Sequence, residues 1–289
     1  MSVLIAAFLD TVFREPPVRL HPVVGIGRLL AGLERFWRDD VRAGVLAWAA
    51  GAAAVLVLSS LAWWGVSLLE APGRVLLTGL LLWPAFSLRM LTAEVAAVEA
   101  ALDRDLDEAR RRLARLVSRD TRGLDAAGVR MAALETLAEN LSDSLLAPLF
   151  YFVLFGLSGA WLYRYANTAD AVWGYRTPRY RRWGLPAARA DDALNWIPAR
   201  LTALLLGPGR LAALRREAGR TPSPNAGWPM GALALALGVR LEKRGTYVLN
   251  PSGRAPEPAD LHRALARVRR AAALAYALAA LLGWGAWGV

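Results

Sequence analysis

The sequence predicts an all-α, polytopic integral membrane protein: a helical bundle with short or re-entrant apolar segments and a cytoplasmic helical region. Three observations predict it. Of the 289 residues 56% are hydrophobic and the mean hydropathy is +0.31, against roughly 45–50% apolar in soluble domains. Apolar stretches of about 20 residues, the length that crosses a hydrocarbon core, recur along the chain. The basic residues, which bring the formal charge to +11, fall in loops between those stretches rather than in one stripe. Membrane topology explains that distribution better than nucleic-acid binding does. The expected partner surface is therefore the lipid bilayer, with no nucleic acid.

Residues 1–13 hold a short apolar core interrupted by Asp10, with no basic region before it. They read as a short helix dipping into the bilayer or packing on the bundle, not as a cleavable signal. A loop punctuated by Pro and Gly leads into a helix near Gly25–Trp37. Leu46–Leu69 and Arg74–Leu91 are two spans joined by a tight turn at Glu70–Gly73, a helical hairpin whose outer ends share one side.

Residues 92–143 form a polar helical region whose eight arginines place it on the cytoplasmic side. There, Asp105 with Glu108 forms a capping box for a helix through about Val117. Asp125 caps the next helix, which carries Glu135. Ser144–Tyr163 is apolar but contains Pro148, Gly156 and Gly159. A full crossing would put the six arginines of 164–193 outside, so an incomplete or re-entrant segment is favoured. Leu194–Gly207 and Trp228–Val239 are too short to cross comfortably alone. Residues 240–270 form a basic surface loop and a helix from Asp260, and Ala271–Val289 is apolar again. One membrane-embedded domain over 1–289 is expected, with about 92–143 as a cytoplasmic helical insertion.

Composition removes much chemistry. There is no Cys, which excludes disulfides, thiolate zinc sites, iron–sulfur clusters and thiol nucleophiles. His21 and His262 are the only histidines, so any metal is a hard, oxygen-ligated ion such as Mg²⁺. No phosphate-loop or nucleophile-elbow motif occurs, and Lys243, the single lysine, stands in no phosphate-loop context. Catalysis would rest on positioning and electrostatic stabilisation.

The stretch Arg130–Pro148 concentrates what remains. Glu135, Glu139 and Asp143 recur at i, i+4 and i+8 on one helical face, beside Asn140. Like charges so spaced cost roughly 0.2–0.5 kcal/mol per pair, and no Lys or Arg lies four residues away on that helix. Either a divalent cation or arginines from elsewhere neutralise them, or the face is simply solvated. Further polar residues border the apolar segments: Asn167, Asp170, Arg176, Arg179, Asp191, Asp192, Arg200 and Asn225. Each has a bland explanation. Asp191 and Asp192 can cap a helix, Asn225 can make a turn, and Arg176 and Arg179 can mark a membrane boundary. His21 alone reads as a packing or turn residue. Acids, amides and arginines at one level are together the composition of a phosphate-plus-Mg²⁺ site.

The ordered blocks HPVVGIGRLL (His21–Leu30), SRDTRGLD (Ser118–Asp125), ETLAENLSDSLLAPLF (Glu135–Phe150), YRYANTADAVWGYRTPRY (Tyr163–Tyr180), ARADDALNWIPARLTALLL (Ala188–Leu206) and SPNAGWPM (Ser223–Met230) resemble the adenosylcobinamide-phosphate synthases, membrane enzymes of cobalamin biosynthesis. The resemblance covers nearly the whole chain and is weakest after Arg240. It implies a multi-pass inner-membrane ligase with its active site facing the cytoplasm. That enzyme joins adenosylcobyric acid to (R)-1-aminopropan-2-ol phosphate through an ATP-driven amide bond on the f propionate. An acyl-phosphate route would need Mg²⁺ on ATP, arginines for two sets of phosphates, and a base for the attacking ammonium. On that reading Glu135, Glu139 and Asp143 bind Mg²⁺–ATP, one glutamate serving as base. Asn140, Asn167 and the acid Asp170 complete the metal or phosphate shell. Arg119, Arg176 and Arg179 bind phosphates, with Asp120 and Asp192 among the substrate-binding residues, and His21 and Asn225 contact substrate. Trp173, Trp183, Trp196 and Trp228 either line a corrin site or mark the membrane interface, the second being favoured. A homo-oligomer or an association with other enzymes of the pathway would suit such a protein. Two alternatives stay open. A non-catalytic membrane sensor would not need the acids, and a corrinoid or small-molecule transporter would place them deep in the bilayer.

Overall fold

The computed structural model describes residues 1–289 apart from Arg14, Arg176, Pro208 and Val289. Its helices, in chain order, are α1 (Ser2–Phe13), α2 (Pro22–Leu33), α3 (Val41–Ser67), α4 (Ala71–Leu82), α5 (Leu88–Leu102), α6 (Leu106–Leu113) and α7 (Ala126–Leu141). They continue as α8 (Ala147–Trp173), α9 (Leu185–Leu194), α10 (Trp196–Leu206), α11 (Leu211–Ala218), α12 (Gly227–Leu237) and α13 (Pro258–Trp287). A short hairpin pairs β1 (Leu241–Lys243) with β2 (Tyr247–Leu249). The all-α membrane class expected from composition is what forms.

Three helical stretches are long and apolar enough to cross a membrane by length and composition: Val41–Ser67, Ala71–Leu102 and Ala126–Trp173. The first is the plainest. It turns Leu46, Leu58, Leu61 and Trp64 outward, each more than half exposed. Leaving such side chains in water forgoes roughly 1.5–3 kcal/mol apiece, so this surface belongs in lipid.

The second is not one rod. The sequence reads Arg74–Leu91 as one span, but α4 stops at Leu82 and a 3₁₀ turn spans Trp83–Ala85 before α5 begins. Pro84 is the cause, because its ring lacks the N–H and collides with the preceding turn.

The third reverses. Inside α8 the dihedrals leave the helical region at Phe155 and at Gly156, the latter with φ 63 and ψ −153. Tyr151 and Tyr163, on either side, stack at 5.6 Å between ring centroids. Twelve residues of straight helix would separate them by about 18 Å. A Cβ on Gly159 would lie 2.3 Å from the Tyr151 carbonyl oxygen, so the two limbs touch through backbone. Residues 147–173 are two helical limbs that double back at Phe155–Gly156, within the Ser144–Tyr163 segment for which an incomplete or re-entrant course is expected.

Smaller differences have local causes. The capping box at Asp105 is only half made: Asp105 accepts from the Asp107 N–H at 2.9 Å. Glu108 turns instead to Arg111 and Arg112 at 3.0 and 2.8 Å. Thr121 donates to the Arg110 carbonyl at 3.0 Å, so the following loop takes over the end of α6 at Leu113, short of Val117. At the other end of the chain, the expected surface helix and the last apolar segment form one 30-residue helix, α13.

The chain divides into two compact units. The first comprises Met1–Ser87, Ala147–Asn195 and Tyr276–Val289. There α3 packs on α8 and α9, α1 on α4, and α2 on α8. Trp173 and Trp183, both essentially buried, meet edge to face at 5.5 Å. The second unit comprises Leu88–Leu146 and Trp196–Ala275. Its centre is α12, which packs against α7, α10 and α11. An 11-residue helix that is apolar on every side needs protein all round it. The expected insertion at 92–143 therefore shares a core with the C-terminal half. Buried Glu99 on α5 and Arg130 on α7 are joined by an ion pair of 2.7 Å.

Candidate functional site

The second unit holds the most complete polar constellation. α7 is buried at every position from Ala132 to Ala138, because α5, α6, α12 and β1 enclose it. The solvated acidic face considered above does not exist at Glu135, which is 2% exposed. Its neutralising group is an arginine from elsewhere: Arg119, from the loop between α6 and α7, pairs with Glu135 Oε2. That loop is fixed by Thr136, whose hydroxyl donates to the Leu116 carbonyl at 3.1 Å. Glu135 Oε1 is buried with no hydrogen bond of normal geometry, and the Tyr247 hydroxyl bears on the same carboxylate.

One turn on, Glu139 and Asn140 line the same cavity, of about 150 Å³. The Asn140 amide donates to the Thr136 carbonyl and hydroxyl at 3.0 and 2.9 Å. After Leu141 the helix widens into a π turn over Ser142–Leu146, a feature frequent at functional sites. The extra residue in the turn breaks the i, i+4, i+8 alignment, and Asp143 is not in the cavity wall. Among the described residues no three His, Asp or Glu side chains are placed to hold one metal ion.

Two cavity residues escaped sequence reasoning. Lys243 ends β1 and Tyr247 begins β2, directly opposite in the hairpin register, and both face Glu135 and Glu139. Burial first, and then the Glu135 charge, push the Tyr247 phenol pKa up, so it stays a donor. The available signal was the lone lysine beside Arg244-Gly245, where Gly245 turns the hairpin at φ 71. The hairpin is held in place from below. Asn250 N–H donates to Glu217 at 2.7 Å, and its amide donates to the Val239 carbonyl at 3.0 Å.

A larger cavity, of about 390 Å³, adjoins this one through shared Arg119 and Lys243. It is lined also by Arg244, Glu242, and the loop carrying Gly123 and Asp125 into the start of α7. Asp125 caps α7 by accepting from Gly128 N–H at 2.7 Å. Asp120 is at its rim, held by Arg122 at 2.8 Å. The Arg122 hydrogen bonds hold the Asp120 carboxyl at a pKa of about 2. Asn225, 3% exposed, accepts from Arg200 at 3.4 Å. The Arg200 guanidinium lies 3.9 Å from the Trp196 ring and 4.6 Å from the Trp228 ring.

The first unit holds the remaining expected residues in three separate arrangements. Asn167 donates to Asp191 at 3.3 Å, and Asp170 has Asp192 as its charged neighbour. His21 caps α2, accepting from Val23 N–H at 3.2 Å, and sits 3.6 Å from Glu15. Arg179 is tied to Glu34 at 2.7 Å and lies over Trp37, so a structural pair accounts for its charge. Arg176 lies outside the described residues. Trp173 and Trp183 are core residues here, not a ligand wall.

A family model described as CobD/Cbib protein matches residues 3–275. A relative from Stutzerimonas stutzeri, named cobalamin biosynthesis protein CobD, is 47% identical over 86% of this chain and 83% of its own. One of the same name from Chromobacterium violaceum is 42% identical over 96% of both chains. A probable cobalamin biosynthesis protein CobD from Methanothermobacter thermautotrophicus is 42% identical over 85% of both. No solved structure matches this chain.

Proposed function

Because the chain belongs to the CobD/Cbib protein family and so to cobalamin biosynthesis, we propose that it is the pathway's membrane-bound amide ligase. In this reading it joins adenosylcobyric acid to (R)-1-aminopropan-2-ol phosphate, driven by ATP, to give adenosylcobinamide phosphate. The observation that carries it is the pair of adjoining cavities in the second unit, with Arg119 and Lys243 on their common wall and Glu135 buried beside them.

A propionate does not condense with an ammonium unaided. A carboxylate oxygen of the corrinoid attacks the γ-phosphorus of ATP, ADP leaves, and an acyl phosphate results. The amine nitrogen then attacks the acyl carbon and inorganic phosphate departs. The proton lost by the ammonium goes to Glu135 Oε1, the buried acceptor with no hydrogen bond of normal geometry. Arg119, Lys243 and Arg244 hold phosphate oxygens, guanidinium groups as forks and the ammonium as a point charge. Mg²⁺, when bound, would neutralise nucleotide phosphate charge, held by a carboxylate of the cavity walls such as Glu242 or Glu139. Mg²⁺ typically takes one or two carboxylates together with substrate phosphates, which suits a site where, among the described residues, no three acids converge.

The arginine-rich loops and the need for ATP support an inner-membrane protein whose site opens to the cytoplasm. The test is purified protein supplied with adenosylcobyric acid, aminopropanol phosphate and Mg²⁺–ATP. Amide product with stoichiometric ADP is expected; ATP left intact with no amide overturns the reading.

A further inference from the structure

Around the smaller cavity two polar atoms of opposite charge are left to be matched: the second carboxylate oxygen of Glu135, whose first is paired with Arg119, and the Lys243 ammonium. Glu135 is 2% exposed, and its Oε1 has no hydrogen bond of normal geometry, with the Tyr247 hydroxyl bearing on the same carboxylate. Among the described residues no carboxylate lies within ion-pair distance of the Lys243 ammonium. Both groups face the same space, and Lys243 bears electrostatically on Glu135. The wall carries two cations, Arg119 and Lys243, and two carboxylates, Glu135 and Glu139.

Size and charge together select the occupant. Pockets for drug-sized ligands run roughly 300–1,000 Å³, whereas this cavity measures about 150 Å³. A nucleotide is too large for it, and its phosphates would meet two carboxylates. A small neutral molecule would leave the buried Oε1 and the lysine unmatched, at the usual cost of unpaired buried polar groups.

We propose that this cavity seats a small zwitterion: an ammonium against Glu135 and Glu139, and a phosphate against Lys243 and the outer nitrogens of Arg119. Resting on the ligase reading, the occupant is the amine-phosphate substrate, and the expectation that Glu135, Glu139 and Asp143 jointly hold Mg²⁺–ATP gives way to it. The nucleotide falls to the larger cavity across the shared Arg119 and Lys243. Tyr247, kept protonated by burial, adds a neutral donor beside the carboxylates. Seating the ammonium at Glu135 Oε1 puts the proton acceptor in contact with the nitrogen that must lose its proton.

The experiment is calorimetric titration of the full-length protein in detergent with O-phosphoethanolamine. Propyl phosphate, which lacks the ammonium, and 1-amino-2-propanol, which lacks the phosphate, are the two half-ligands. The probe is expected to bind at least tenfold more tightly than either half. Lys243→Met should weaken the probe and propyl phosphate by about tenfold or more, with Lys243→Arg recovering much of the loss. Glu139→Gln should weaken the probe while leaving propyl phosphate unchanged; unlike Glu135, it leaves the Arg119 pair intact. Propyl phosphate binding as tightly as the probe, or Lys243→Met and Glu139→Gln both binding it like the parent, overturns the seat. The two readings fail separately. Probe binding as described, with no amide ever formed, removes the ligase and keeps the zwitterion site. Amide formation with an unchanged KM for the amine phosphate in Lys243→Met removes the site and keeps the ligase.

Discussion

Arg119 reaches back from a loop to a carboxylate sixteen residues further along, Glu135, and the two form an ion pair in which the acid is 2% exposed. Breaking such a pair from one side leaves an uncompensated charge and costs about 3–5 kcal/mol. Arg119→Ala and Glu135→Ala are therefore each expected to lower the melting temperature strongly. The double substitution should cost less than their sum, because neither charge is then stranded. Strict additivity in detergent melts would show that the pair contributes nothing.

Glu139→Gln keeps shape and removes charge at a half-buried position in the cavity wall. If it holds the ammonium or the nucleotide's cation, amide formation falls by at least tenfold while the melting temperature moves little. Turnover near the parent rate would take this glutamate out of the chemistry.

The exposed neighbour gives the contrast. Asp120 and Arg122 are paired in water, with 61% and 89% of their side chains accessible. Exposed pairs contribute little, because water screens them. Asp120→Asn should leave the unfolding midpoint where it is in the parent, readable in a urea or thermal unfolding comparison.

Gly156 sits at φ 63 and ψ −153, a region essentially confined to glycine that costs other residues about 1–3 kcal/mol. Gly156→Ala should destabilise by that amount. Gly65→Ala, in a helix with open space around it, should be neutral or stabilising by up to about 1 kcal/mol. The two melts side by side separate backbone strain from the mere addition of a methyl group.

Burial, and then the nearby Arg164, lower the pKa of His21 in the folded state from 6.5. The unfolded chain therefore takes up a proton that the folded chain refuses. The contribution of this group is present in full above about pH 6.5 and is lost as pH falls toward the folded value. His21→Asn retains an N-cap acceptor for α2 but cannot titrate. It should flatten the fall in melting temperature below pH 6.5, and an unchanged slope would assign that fall to other groups.

Hydropathy made the class legible, and proline and glycine placement made the reversal at Phe155–Gly156 legible, because each acts within one segment. Arg119 and Glu135 were both visible as candidates. Their pairing was not, since i, i+4 reasoning sees only one helix. Burial of α7 on all sides was hidden for the same reason: its surroundings come from α12 and β1, about a hundred residues away. Lys243 and Tyr247 join the site through a three-residue strand pairing too short to leave a periodic pattern. The pairing of Arg179 with Glu34 was equally hidden, since the two stand 145 positions apart.

The reversal at Phe155–Gly156 bears on how sidedness is counted. An apolar window drawn over 147–173 scores as one traverse, yet a chain that doubles back returns to the leaflet it entered from. Every loop downstream then emerges on the opposite side from the one such a window assigns. Reporter fusions placed before Ala147 and after Trp173 should read out the same compartment.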